Sequence, residues 1–340
     1  MMTRLFRRMT GWTADEMPRL DGKTVVVTGA NSGLGFEATR AFAAKGATVV
    51  MACRSVERGT DAAVEIRADT RGDADGTLEV RECDLASLES VATFAEGVAD
   101  DYDAVDVLCN NAGVMAIPRC ETDDGFETQL GVNHLGHFAL TCRLFPLLAA
   151  GNGVGRGAEE SGSPAADLSG SGDARVVTQS SGAHERGEMD FTDLNWEESY
   201  EKWGAYGRSK LANLLFAYEL QRRIDAAADD VGVRSVACHP GYAATNLQLR
   251  TAKESGTPLA TAVMRLANAA FGQDAATGAL PLLYAATADV DGGAYVEPGG
   301  VLNMRGSPTV GRSNDASYDL DDARRLWEYS AEATGVDLSL

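Results

Sequence analysis

The chain has 340 residues, 44% of them hydrophobic, with 50 acidic against 30 basic side chains, a net charge of −20 and a pI near 4.6. That length allows one large α/β domain or two small ones with a sizeable core; the charge disfavours nucleic acid as a partner, and no apolar run approaches the ~20 residues that cross a bilayer. The basic start MMTRLFRRMTGW has no apolar signal core behind it, and Cys53, Cys83, Cys109, Cys120, Cys142 and Cys238 lie scattered without CxxC or metal-ligand spacing, so a cytoplasmic protein with free thiols is expected.

Residues 1–20 read as an N-terminal extension, and 21–340 as one domain. KTVVVTGA (23–30) is a β-branched run ending in Gly, the pattern of a buried parallel strand. FEATRAFAAKG (36–46) follows with helical spacing and a Gly stop. ATVVMACR (47–54) is a second strand, and 55–69 a second helix. LEVRECDL (78–85) and VDVLCNNAG (105–113) are the next strands, with a helix around 87–99 between them. A long helical stretch covers about 123–150. ARVVTQSS (174–181) and VRSVACHPG (233–241) are further strands, with a helix over 205–227 between them. This alternation predicts a single α/β Rossmann-fold domain: a doubly wound, mostly parallel sheet of about seven strands with helices on both faces. Residues 151–173 are Gly-, Ser- and acid-rich and read as a flexible surface insertion.

TGANSGLG (28–35) stands between the first strand and the first helix, where a nucleotide's pyrophosphate would meet a helix N-terminus. Glycines let the backbone turn tightly and approach the phosphates, while the free N–H groups and the helix dipole favour the anion. Its Thr-Gly-x-x-x-Gly-x-Gly spacing, NNAG at 110–113, Tyr-x-x-x-Lys at 206–210 and HPG at 239–241 occur in an order that resembles the short-chain dehydrogenase/reductase family over roughly residues 12–337. ACRSVERG, VNHLGHFALT, YGRSKLANLLFAYEL and HPGYAATNL look like its retinol-dehydrogenase and protochlorophyllide-reductase-like branch.

The resemblance implies a nicotinamide cofactor, a small-molecule substrate, and a homodimer or homotetramer. Cofactor contacts carry over to Gly29, Asn31, Ser32, Gly33, Leu34 and Gly35 in the turn. Asp84 and Leu85, then Asn110, Ala112 and Gly113, follow for the adenine and ribose. Pro240, Gly241 and Thr245 follow beside the nicotinamide, with Tyr206 and Lys210. Where an acid would bind the adenosine ribose, this chain has Cys53 followed by Arg54 and Ser55. A guanidinium beside a hydroxyl suits a 2′-phosphate, so NADP(H) is favoured over NAD(H).

At i and i+4, Tyr206 and Lys210 share one helix face. A free tyrosine, with a pKa of about 10, is a poor base, and a nearby ammonium favours its phenolate. The family implies that Tyr206 exchanges the proton with the substrate oxygen, Lys210 holds the ribose, and Ser181 rather than Ser180 contacts the same oxygen. It also implies that Asn133 kinks its helix and completes a proton relay. The interval from Ser181 to Tyr206 is long, and its Trp196, Tyr200 and Trp203 are expected to shape a substrate wall. His134, His137 and His239 read as ordinary structural residues. An amphipathic helix over 257–272, within a region of about 242–272, matches the family's substrate lid. The activity expected is hydride transfer to or from an apolar carbonyl or alcohol. The rivals are reduction of a ring C=C bond and a non-catalytic dinucleotide-binding protein.

Only five basic residues are lysine: Lys23, Lys45, Lys202, Lys210 and Lys253. An acid-rich, lysine-poor surface is expected of a halophile's protein, whose self-repulsion is screened where the Debye length falls to about 3 Å near 1 M salt. Thermal unfolding followed by circular dichroism should therefore show Tm rising as KCl increases from about 0.1 to about 2 M. A Tm that stays flat or falls would contradict that expectation.

Overall fold

TVVVT at Thr24–Thr28 has no polar alternation and needs apolar cover on both faces. The computed structural model supplies it; residues 11–69, 76–151, 173–228, 231–241, 274–300 and 303–340 are described. Eight strands form one sheet: β1 Thr24–Thr28, β2 Thr48–Cys53, β3 Thr77–Glu82, β4 Val107–Asn110, β5 Ala174–Gln179, β6 Val233–Cys238, β7 Tyr295–Pro298 and β8 Pro308–Gly311. Their spatial order is β3-β2-β1-β4-β5-β6-β7-β8. The pairs from β3 through β7 are parallel, and only β7–β8 is antiparallel.

Helices cover both sides. Val25, Val27, Val49 and Met51 face α1 (Gly33–Ala44), α2 (Val56–Asp69) and α6 (Ala275–Thr287). Val26, Val50 and Leu108 face α3 (Leu88–Asp101), α4 (Gly136–Ala150) and α5 (Lys202–Asp225). The last helix, α7 (Leu320–Thr334), adds Trp327, which stacks on Phe216 of α5 at 5.9 Å and meets Phe138 of α4 edge-on at 5.0 Å. At the other end of the chain Met17 and Leu20 are buried, and the Trp12 ring meets Tyr284 of α6 edge-on at 5.2 Å.

The chain winds outward from β1 in one direction through β2 and β3, and from β4 in the other. The carboxyl ends of β1 and β4 therefore diverge and leave a crevice at the switch point. Two local breaks shape that crevice. The helix expected over about 123–150 begins only at Thr128, because Gly125, at φ +84°, turns the chain back into an antiparallel bridge between Glu121 and Glu127. Gly131–Leu135 then forms a π turn before α4, a local widening that recurs at functional sites. The eighth strand, PTVG, begins with Pro and ends with Gly at the sheet edge. That composition reads as a turn in sequence.

Candidate active site

A cleft of about 340 Å³ opens over the carboxyl ends of the central strands. Its floor is the turn from β1 to α1. Gly29 and Gly33 take left-handed φ of +66° and +57°, conformations that side chains resist. A Cβ on Gly29 would stand 3.1 Å from Ala112. No side chain caps the start of α1 at Ser32, so its first-turn N–H groups are left for a ligand on the cleft side. Asn31, Ser32, Gly33 and Leu34 all line the cleft, as the cradle for a pyrophosphate requires. At one end, Arg54, Ser55 and Arg58 line it just beyond β2, beside Asp84 and Leu85. Neither guanidinium is engaged by a carboxylate among the described residues.

At the other end Ser181, Tyr206 and Lys210 meet. Glu201 caps α5 by accepting from the N–H groups of Trp203 and Gly204, which sets Tyr206 and Lys210 in its first turns, facing β5. Burial raises the Tyr206 phenol above its ordinary range, and a hydrogen bond from the Ser181 hydroxyl opposes that shift. Burial lowers the Lys210 pKa to about 8. Its ammonium donates to the Gln179 carbonyl at 3.2 Å and lies 5.9 Å from the centre of the Tyr206 ring. Asn133, on the π turn, donates to the Val114 carbonyl (3.0 Å) and to Ser209 Oγ (2.9 Å), and accepts from the Val114 N–H (2.8 Å). A Cβ on Gly113 would come within 2.9 Å of Asn133 Oδ1 and 3.5 Å of Lys210 Nζ, so these three residues share one spot.

The sequence profile of the family described as short chain dehydrogenase matches residues 23–156. Retinol dehydrogenase 13 of Homo sapiens is 36% identical over 97% of this chain and 89% of its own length. Among solved structures, an uncharacterized protein from Mycobacterium paratuberculosis is 41% identical, with a TM-score of 0.74 over 97% of this chain and all of that one. A chain assigned as an NAD(P)-dependent gluconate 5-dehydrogenase from Beutenbergia cavernae, with NADP bound at low occupancy, is 25% identical, with a TM-score of 0.56 over 79% of this chain and 91% of that one. This chain belongs to the short-chain dehydrogenase/reductase family. It is an oxidoreductase of the retinol-dehydrogenase-like branch, acting on CH–OH or C=O groups, with a fold that binds a nicotinamide dinucleotide.

Within this dehydrogenase, the two serines at the end of β5 have different environments. Ser180 is buried and donates to the Lys210 carbonyl at 2.8 Å, whereas Ser181 reaches Tyr206. Ala112, Gly113, Pro240 and Gly241 line the cleft. Two expected cofactor contacts lie elsewhere. Asn110 is fully buried and donates to Thr141 Oγ1 at 2.9 Å, because its side chain points to the helix side of β4; its neighbour Asn111 lines the cleft instead. Gly35 is packed beneath the turn, where a Cβ would stand 2.4 Å from the Gly29 carbonyl oxygen. It lets α1 approach β1 and is not part of the lining. Thr245 and the region 242–272 lie outside the described residues. So does 152–172 of the expected insertion.

Sequence reasoning passed over several residues. Thr28 Oγ1 accepts from the N–H groups of Asn111 (2.9 Å) and Ala112 (3.0 Å), tying the NNAG turn to β1; the Thr before the first Gly was the available signal. Arg58, Met115 and Gln179 also line the cleft. Ala116 takes φ +48° beside Tyr206, and its N–H donates to Gln129 Oε1 at 2.6 Å. No sequence pattern marks an alanine for a left-handed site. Of the three aromatics expected to shape the wall, Trp203 meets the Tyr206 ring edge-on at 6.3 Å. Trp196 lies 4.3 Å beneath the Arg208 guanidinium, and the Tyr200 hydroxyl donates to the Ile117 carbonyl at 2.9 Å, so these two brace the wall from behind.

The low Lys210 pKa has a defined consequence. Its cation is fully present below about pH 8 and is lost above it. At saturating cofactor, kcat/KM for carbonyl reduction should fall with a limb near that pH, and Lys210→Met should remove the limb along with most of the activity. A profile flat through pH 9 would contradict a role for the Lys210 charge.

Proposed function

We propose that the protein is an NADP-preferring reductase or dehydrogenase of apolar carbonyls and alcohols, working in the cytoplasm of a salt-adapted cell. The observation that carries the cofactor preference is the pair Arg54, just beyond β2, and Arg58, in the first turn of α2, which line one end of the cleft where β2 itself ends in Cys53 and not in an acid. A guanidinium repays the cost of binding a phosphate through charge-assisted, bidentate hydrogen bonds, whereas an acid at this place would repel it. Arg54 precedes α2 and Arg58 lies in its first turn, and both line the same end of the cleft, where they can converge on one group. The bound NADP of the Beutenbergia cavernae chain is consistent with this preference.

The nicotinamide, when bound, supplies or accepts the hydride. The protein handles the oxygen and its proton. Ser181 and Tyr206 are hydrogen-bonded hydroxyls lining one cleft, an arrangement suited to a substrate oxygen and less to a ring C=C bond. Because burial raises the Tyr206 pKa, the phenol keeps its proton at neutral pH and can donate it as a carbonyl is reduced. Alcohol oxidation needs the phenolate and is favoured as pH rises. Lys210, cationic below about pH 8, stabilises that phenolate and holds the ribose. Asn133 orders the side of the site next to Lys210 and Gly113.

The reacting end is apolar. Met115, Ala116 and Ala183 pack around Tyr206, and Trp203 stands 42% exposed at its edge. Retinal is the first carbonyl to test, because the related protein bears the name retinol dehydrogenase.

Fluorescence titration with NADPH and NADH tests the cofactor reading. NADPH should bind more tightly, and Arg54→Ala should weaken it by about 10- to 100-fold while leaving NADH within about twofold. Arg58→Ala should show the same selectivity with a smaller loss. Preference for NADH, or equal losses for both cofactors, would overturn the assignment.

A further inference from the structure

His137 lies in the VNHLGHFALT stretch and reads in sequence as an ordinary structural residue, yet its side chain bonds both Thr28 and Asn133. It sits in the first turn of α4, 1% exposed. Its Nδ1 lies 3.0 Å from the Asn133 carbonyl oxygen, and its Nε2 2.9 Å from Thr28 Oγ1. A carbonyl can only accept, so Nδ1 carries the hydrogen. Burial, helped by the nearby Lys210 charge, lowers the ring's pKa to about 4, so the imidazole is neutral and Nε2 is an acceptor. The Thr28 hydroxyl therefore donates to His137, which leaves its oxygen to accept the two N–H groups of Asn111 and Ala112. This arrangement gives every one of these groups a partner in a consistent direction.

We propose that His137 is a positioning residue that couples the cofactor turn to the proton-relay turn by holding Thr28 with one nitrogen and Asn133 with the other. On the cofactor side it selects the rotamer of the Thr28 hydroxyl, whose other acceptor, the Cys109 carbonyl, lies farther away at 3.2 Å. Thr28 in turn holds the backbone of Asn111 and Ala112, next to the Gly113 that lines the cleft. On the relay side it fixes the carbonyl of Asn133, in a π turn where the regular helical ladder is interrupted. The Asn133 side chain then bonds the N–H and carbonyl of Val114, and its Oδ1 fills the space that a Cβ on Gly113 would need. The bonded path runs from Thr28 of β1 through His137 to Asn133 and ends on the backbone of Val114, the residue after Gly113.

His134, one turn earlier, provides the contrast. It is equally buried, but its Nε2 meets Ser330 of α7 at 2.8 Å, and its Nδ1 has no partner among the described residues. That is a core histidine tolerated among aromatic rings. Both partners of His137 instead belong to the site, and a buried imidazole with both nitrogens committed holds its neighbours to one geometry.

The inference rests on the proposed cofactor and proton roles, and the test separates the two. NADPH dissociation constants and steady-state reduction of all-trans-retinal are compared for the wild type, His137→Leu, His137→Gln, Thr28→Val and the Thr28→Val/His137→Leu double variant. Glutamine presents an amide N–H and a carbonyl at about the spacing of the two ring nitrogens, so it can restore both bonds. His137→Leu should weaken NADPH about tenfold and lower kcat about tenfold, with little change in the KM for retinal. His137→Gln should recover most of both. The double variant should lose little more than either single one, because both remove the same bond. Should His137→Leu not fold, His137→Asn, whose shorter amide cannot span both partners, is judged by the same criteria. A variant of lower Tm that binds NADPH within about twofold of wild type, or fully additive losses at the two positions, would overturn the role of His137 alone. Failure of the wild type itself to bind NADPH would overturn the cofactor reading.

Discussion

The hydroxyl of Thr28 sits where the two halves of the sheet part. Beyond it β1 turns into α1, while β4 turns away into the NNAG loop at the mouth of the crevice, where the Asn111 N–H also reaches the Cys109 carbonyl. Thr28 supplies an acceptor for the N–H groups of both Asn111 and Ala112. Backbone N–H groups seek an acceptor, so this one oxygen ties the NNAG turn to β1 and sets the width of the crevice there. The left-handed glycines on one wall and Gly113 on the other then have a constant distance between them. Everything placed around the cleft, from the arginines at one end to Tyr206 at the other, refers to that width.

The second constraint is electrostatic. Lys210 is a buried cation whose local partner is a neutral carbonyl, and desolvation brings its pKa down to about 8. Tyr206 is buried beside it and shifts the other way. In sequence, an ammonium one turn away is expected to favour the phenolate; in the free protein burial dominates and holds the phenol protonated, with the Ser181 hydrogen bond opposing it. The site is therefore set to hold a neutral phenol and a cation together, the combination carbonyl reduction starts from. Titratable pairs whose environments push their pKa values in different directions are a recurring mark of acid–base sites.

Much of this was legible in the chain because it depends on local periodicity. TVVVT and TVVMAC carry no polar alternation, so they had to be covered on both faces, and the helix between them had to cross over. Tyr206, Lys210 and the glycines are bound to their elements by fixed spacings. What escaped depended on which way a residue faces or on contacts far apart in sequence. Asn110 and Asn111 are adjacent, and side-chain alternation at the end of a strand sends one into the core and the other to the cleft. His137 meets Thr28 across 109 positions of sequence, a pairing no local pattern encodes. PTVG becomes a strand only because β7 offers it an edge. The left-handed Ala116 is held by Gln129 from a neighbouring turn, so its conformation is tertiary in origin.

The central claim is that Tyr206 exchanges a proton with a substrate oxygen while the carbon beside it receives a hydride from the cofactor. The most direct measurement is mass spectrometry of the alcohol formed from an apolar aldehyde such as all-trans-retinal with NADPH deuterated at the nicotinamide C4, for wild type and Tyr206→Phe. The account predicts one deuterium on the carbinol carbon with the wild type, and no labelled product with Tyr206→Phe even though that variant still binds NADPH. Labelled alcohol formed equally fast by Tyr206→Phe would contradict it.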